Sequence, residues 1–188
     1  MRAHEGHPGF VLRSFPSAPA PQLYGVVTRA ALERYEPDVV LLMAGTNDLL
    51  RKQRRAAGYT LPNIVASMNA LLAEIFYVRP QVAVIVAGVV SSPSIDACDV
   101  AHFDGVTTSE CSAGDDQNLR TLVASYAARG FRIALAPRMD ASVPRDRSHF
   151  PDGIHPSGPG AYDAMARVWL AAIESQSAGG SQGTLAGR

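Results

Sequence analysis

Apolar residues recur along this chain in two patterns. Some form short unbroken runs, and others return every three or four positions over longer stretches. The run Val39-Val40-Leu41-Leu42-Met43 follows Glu36-Pro37-Asp38 and contains no polar residue. Such a run reads as an interior strand of a parallel sheet, covered on both faces. Similar runs predict strands at residues 82–90 and 133–136. Ile64, Met68, Leu71, Leu72 and Ile75 fall at helical spacing, and the pattern stops before Pro80. Leu119, Leu122, Val123 and Tyr126 mark a further helix, closed by Gly130. Helices are also expected over residues 23–35, ending before Pro37, and over 158–174, with Tyr162, Met165, Trp169 and Ile173 turned inward. Alternating strands and helices imply an α/β fold with a parallel sheet. One domain is expected over residues 1–174, followed by a Gly/Ser-rich tail, 175–188, without order.

The polar residues that interrupt this pattern carry the candidate chemistry. The first strand runs into Gly45-Thr46-Asn47-Asp48. Glycine permits a sharp turn at the strand's C-terminal end, where open α/β sheets place their ligands. An amide N–H from Asn47 could there donate to a developing oxyanion. The same four residues also suit a plain β-turn. Near the other end stands Asp152-Gly153-Ile154-His155-Pro156. A carboxylate three residues before a histidine can hold the imidazole in one tautomer and stabilise its charged form. Here too a simple turn fits, leading into a helix capped by Ser157 with Pro159 in its first turn.

Together, in this order, the two motifs resemble the SGNH (GDSL-type) hydrolase superfamily. Gly45-Thr46-Asn47-Asp48 is similar to its third sequence block, and Asp152 with His155 to its fifth. His4-Glu5-Gly6-His7-Pro8-Gly9-Phe10 resembles the second block of the secreted, carbohydrate-esterase-like branch, whose glycine gives a backbone N–H to the oxyanion hole. Gly6 is the better match for that glycine and Gly9 the runner-up. The resemblance implies a flavodoxin-like three-layer α/β/α sandwich with parallel strand order 2-1-3-4-5. The three strands read above correspond to its third, fourth and fifth, so the resemblance implies a sheet whose two N-terminal strands are not among these. The family's nucleophile lies in a Gly-Asp-Ser block upstream of the second, and no serine here holds that position. Gly114-Asp115-Asp116 lacks the serine and follows the third block, and Ser14 follows the second. A domain incomplete at its N-terminus is the expectation, and an inactive relative the alternative. Without the first two strands, Val39–Met43 becomes an apolar edge, which is an aggregation hazard.

By family, the implied activity is a serine ester hydrolase acting on a small-molecule or polysaccharide ester, with His155 as base, Asp152 orienting it, and Gly6 and Asn47 in the oxyanion hole. The 188 residues, 47% hydrophobic and 18% charged, suffice for one core. Seventeen basic and seventeen acidic side chains balance to zero, which removes the electrostatic case for nucleic acid or an anionic membrane. Arg51-Lys52-Gln53-Arg54-Arg55 reads as a solvated face, with attraction of an acidic substrate the lesser reading. No apolar stretch is expected to reach membrane-spanning length. Cys98 and Cys111 bracket one polar loop between residues 91 and 114, which suggests a local disulfide and a secreted protein, two free thiols being the alternative. His4 and His7 lack an evident third ligand, and His102 and His149 read as surface residues, so neither a catalytic metal nor a cofactor is expected. The chain is expected to be a monomer. A non-catalytic carbohydrate-binding relative remains an alternative. A phosphate-binding flavodoxin-like protein would need a Gly/Ser/Thr-rich loop that Gly45-Thr46-Asn47-Asp48 does not supply.

Overall fold

The structure is a computed structural model that describes residues 7–106, 108, 111, 116–136 and 138–180. Its elements alternate as expected: α1 (Val26–Tyr35), β1 (Val39–Met43), α2 (Thr46–Gln53), α3 (Leu61–Val78), β2 (Ala83–Ala87), α4 (Ala97–Asp104), α5 (Leu119–Ala128), β3 (Ile133–Leu135), a short helical turn at Met139–Ala141, and α6 (Pro159–Gly180). The strands form one parallel sheet in the order β1-β2-β3, with Val39 opposite Ala83 and Val84 opposite Ile133.

The central strand β2 divides the core. Val84 and Val86 face a cluster built with Leu32 of α1, Ile64, Met68, Leu71, Leu72 and Ile75 of α3, and Val123 and Tyr126 of α5. Ile85 and Ala87 face a second cluster with Ala161 and Ala172 of α6, Met139, Val143 and Phe150. This alternation of adjacent residues makes the three-layer α/β/α arrangement. Local signals set the helix ends. The Thr60 side chain accepts from Asn63 N–H ahead of α3. Asp96 caps α4 and Asn118 caps α5 in the same way.

Several boundaries and faces differ from the sequence reading, for identifiable reasons. β2 stops at Ala87 rather than 90, because the backbone at Gly88 passes under α4; a Cβ there would run into the Asp104 carboxylate. α1 starts at Val26 rather than 23, because the amides of Leu23 and Tyr24 are bonded to the carbonyls of Val11 and Leu12. Residues 97–104, expected to be loop, form α4, and α6 continues to Gly180, so residues 175–180 are helix rather than tail. On α6 the small residues Ala161 and Ala172 make the close contact, while Tyr162 and Ile173 face outward instead of inward. α3 is long and apolar enough to cross a membrane, contrary to the sequence reading, but its apolar side chains fill the first cluster. The disulfide expected between Cys98 and Cys111 is present, with Cα atoms 5.3 Å apart.

β1 is an edge. Val40 and Leu42 pack on the first cluster, whereas Val39, Leu41 and Met43 are 49%, 45% and 39% exposed on the face that α6 covers elsewhere. The edge expected for Val39–Met43 in the absence of two N-terminal strands is observed, whereas the expectation that both its faces are covered fails: one face has no covering layer among the described residues. Leu72, fully buried, and Leu41 therefore give a paired test. Leu72→Ala should cost about 2–5 kcal/mol in urea unfolding. Leu41→Lys should stay within about 0.5 kcal/mol and lower concentration-dependent light scattering. A cost for Leu41→Lys as large as that for Leu72→Ala would show that this face is covered in solution.

Candidate active site

Three parallel strands end at one side of the sheet, and the candidate residues sit in the loops that leave it. Asn47 and Asp48 lie in the first turn of α2, two short steps past β1. Gly45, with φ 120°, makes the turn, and a side chain there would press on Phe103 and Val89. The Gly-Thr-Asn-Asp segment is thus the start of a helix rather than an isolated turn. The Asn47 amide donates to the Phe10 carbonyl at 2.8 Å, which fixes its plane and leaves a second N–H.

Asp48 is fully buried, and both its carboxylate oxygens accept from the Leu12 amide, at 3.2 and 3.0 Å. Burial pushes its pKa up to about 7, against the Leu12 N–H, its own backbone N–H and the positive charge of Arg51. Two consecutive residues of α2 therefore grip alternate residues of the segment 10–12. That segment is held on its other side by Val11 N–H on the Pro21 carbonyl at 2.9 Å. Before it, His7-Pro8-Gly9-Phe10 closes a turn through Phe10 N–H on the His7 carbonyl, with Gly9 at φ 78° as a Pro-Gly turn requires. Gly9 is thus placed just ahead of the gripped segment, and Gly6 lies outside the described residues.

The Asp152–His155 pair is built within four residues. Asp152 Oδ1 accepts the backbone N–H groups of Ile154 and His155, both at 2.8 Å, and Oδ2 lies 2.6 Å from His155 Nδ1. Gly153, at φ 83°, lets the turn close, and its carbonyl accepts from Ser94 N–H at 3.0 Å. Arg145 reinforces this link by donating to the carbonyls of Ser92, at 2.8 Å, and Ile95. The turn is thereby tied to the loop leaving β2. The buried Phe150 anchors it from below. The hydrogen bond from His155, then those from the backbone, holds the Asp152 carboxyl well below the usual carboxylate range. With Nδ1 engaged, Nε2 is the ring nitrogen free to exchange a proton, and the imidazole is 77% exposed. Among the described residues no hydrogen bond joins His155 to Asn47 or to a serine hydroxyl.

Sequence reasoning missed two features. Asp146-Arg147-Ser148-His149 repeats the Asp-x-x-His geometry, with Asp146 Oδ1 2.9 Å from His149 Nδ1 and 2.6 Å from Ser148 Oγ. His149 is therefore a fixed residue rather than a loose surface one, and its carbonyl accepts from Ser157 N–H at 2.8 Å. The repeated spacing was the signal. The second feature is Asp48, a carboxylate directly after a buried strand. Two of the four cations in the basic run beside it are engaged: Lys52 pairs with Asp99 at 2.7 Å, and Arg51 lies over the Tyr59 ring.

Comparison with known proteins places the fold. Neither a family model nor a curated protein matches the chain. Among solved structures it is similar to a family 3 carbohydrate esterase of Clostridium thermocellum, with TM-score 0.56 and 24% identity over 80% of this chain and 63% of that one. It is also similar to a family 3 carbohydrate esterase from Talaromyces cellulolyticus, with TM-score 0.60 and 19% identity over 82% of this chain and 66% of that one. A GDSL-like lipase from Parabacteroides merdae matches at TM-score 0.52 and 18% identity, over 78% and 66% of the two chains. The chain therefore has an SGNH hydrolase-like α/β fold and spans 63–66% of the length of the structures it matches.

Two measurements test this geometry. In neutral His155 the proton should reside on Nδ1, and Asp152→Ala should shift the population toward the Nε2–H tautomer; nitrogen chemical shifts of the imidazole read this directly. Asp48 gives a pH dependence. Its folded pKa is raised from 3.8 to about 7, so the folded state holds a proton that the unfolded chain releases. That contribution is complete below pH 3.8 and disappears as the pH rises through about 7. Asp104, also raised by burial, acts in the same direction, so the test is a difference. Asp48→Asn should flatten the fall in unfolding free energy between about pH 4 and 7 relative to wild type. An unchanged slope would contradict the assignment.

Proposed function

We propose that this chain is the major part of a serine ester hydrolase that removes short acyl groups, such as acetyl, from carbohydrate or other small esters. The observation that carries the reading is the Asp152 carboxylate 2.6 Å from His155 Nδ1, on a turn held at the C-terminal side of the parallel sheet. The carbohydrate esterases among its structural neighbours support the substrate class. The Cys98–Cys111 disulfide supports a secreted protein. On this reading the nucleophile is a serine on a segment outside these 188 residues, which would also pair with the open edge of β1 and cover Val39, Leu41 and Met43.

The reaction is a two-step acyl transfer. His155 Nε2 takes the serine proton as its oxygen attacks the ester carbonyl, and Asp152 stabilises the imidazolium that results. The oxyanion receives N–H bonds from the serine backbone, Gly6 and the second N–H of Asn47. As the tetrahedral state collapses, the ester C–O bond breaks and His155 protonates the leaving alcohol. Water then attacks the acyl-enzyme with His155 again as base, releasing the acid and the serine.

The 188-residue chain alone should turn over p-nitrophenyl acetate negligibly. Joined to an upstream segment with a Gly-Asp-Ser block, it should be active, and His155→Ala should abolish that activity. Asn47→Ala in the active form should lower kcat by about 10²–10³-fold with a smaller effect on KM. A drop below about tenfold, with chemistry rate-limiting, would leave Asn47 as a residue that only holds Phe10. Robust turnover by the 188 residues alone, lost in His155→Ala, would place the nucleophile within them. The second reading, a carbohydrate-binding relative without chemistry, is favoured by the lack of a serine bonded to His155 among the described residues. Saturable oligosaccharide binding by a completed chain that never hydrolyses esters would establish it.

A further inference from the structure

We propose that Asp48 is the positioning residue of the oxyanion-hole segment: its buried carboxylate, bonded to the Leu12 amide, sets the backbone of residues 10–12, on which the Pro8-Gly9 turn is built. This rests on the hydrolase reading above and extends it to a residue outside the catalytic set. The argument begins with register. Asn47 and Asp48 are adjacent in α2, and they bind Phe10 O and Leu12 N–H, the two outward-facing groups on either side of Val11. An extended segment turns alternate residues to one side, so two adjacent helix residues can grip it at both ends of a three-residue step. Val11 and Leu12 are fully buried, so the segment cannot slide without exposing them. Behind it, Leu23 N–H and Tyr24 N–H bond the Val11 and Leu12 carbonyls at 2.9 and 3.0 Å, closing the opposite side. Directly ahead lies the Pro8-Gly9 turn, closed by Phe10 N–H on the His7 carbonyl, so its placement depends on where residues 10–12 sit.

A carboxylate suits this role better than an amide of the protein's backbone would. It accepts one N–H with two oxygens, so it tolerates small rotations of α2 while keeping the Leu12 amide in place. Asn47 would then serve twice, with one N–H on Phe10 and the other toward the oxyanion, while Asp48 serves only the scaffold. Among the described residues, the charged and titratable groups that act on Asp48 are Arg51, one turn on along α2, and Tyr59, from the connection to α3, over whose ring Arg51 lies.

Amide hydrogen exchange on the 188-residue chain, read residue by residue by NMR, tests the proposal without requiring catalysis. Asp48→Ala should raise exchange at Leu12, and at amides of residues 9–11, by at least about tenfold while α3 amides stay protected. Asp48→Asn, whose side-chain oxygen can still accept one bond, should restore most of the protection. In wild type the Leu12 amide proton shift should titrate with a midpoint near that of Asp48, about 7. Protection of the Leu12 amide in wild type is a readout that stands even where Asp48→Ala does not fold. Unchanged exchange at Leu12 in Asp48→Ala, or a wild-type Leu12 amide that exchanges without protection, would overturn the proposal. In the completed enzyme, Asp48→Ala should lower kcat more than Leu72→Ala at matched stability, and equal kcat losses would reduce Asp48 to a core residue. Failure of the completed wild-type enzyme to hydrolyse any ester, with the exchange pattern as expected, would instead count against the hydrolase reading alone.

Discussion

Everything in this molecule hangs on the parallel pairing of β2 with β1 and β3. Parallel strands must all end on the same side, so the chain's segments at 44–48, 88–95 and 138–155 are delivered to one rim whatever their sequences. β2 is apolar toward both layers, which explains why this pairing is stable in a chain with an exposed neighbour strand: Val84 and Val86 lock one helical layer, and Ile85 and Ala87 lock the other. The same constraint makes β1 the weak point. It is paired on one edge only, and the residues that would face a second layer meet solvent.

The two halves of the candidate site are built by different physics. The Asp152–His155 pair is local. Four residues close on one carboxylate, with a glycine at positive φ, so its internal geometry follows from sequence spacing. Its placement is not local. Ser94, Arg145 and Phe150 do that by tying the turn to the β2 loop and the core. The Asn47 half is the reverse. Its partners, Phe10 and Leu12, lie more than thirty residues upstream, so the grip depends on where the sheet places α2.

This difference also explains how much was legible beforehand. Periodicity located all three strands and four of the helices, because apolar runs and helical spacing report burial directly. It gave no hint of α4, whose residues 97–104 mix Asp, His and Cys with the apolar positions, and whose helix depends on the Asp96 cap and on Phe103 and Val100 reaching the core. It misassigned the faces of α6, because Ala161 and Ala172 bury little area individually and so look unremarkable in a pattern of large residues. It treated Val39–Met43 as covered on both sides, because composition cannot tell whether a covering layer is present. In the site, the local Asp152–His155 contact was readable from spacing. The buried Asp48 and the second turn at Asp146–His149 were not singled out, since a carboxylate after a strand and one at a surface turn look alike until burial is known.

Burial is what separates the carboxylates at this rim into two kinds. Asp48 and Asp104 are inside, and desolvation raises both. Asp104 accepts from Val89 N–H, leaves Oδ1 without a partner among the described residues, and feels the like charge of Asp140, so its protonated form is favoured. Asp146 and Asp152 are outside, and each is lowered by hydrogen bonds, Asp146 most by Ser148 and Asp152 most by His155. The distinction has a chemical consequence. An imidazole that becomes positively charged gains from a neighbouring carboxylate that is ionised throughout the neutral range. Asp152 meets that requirement at Nδ1, whereas Asp48, bonded to a backbone amide, is suited to holding a segment in place rather than to moving a proton.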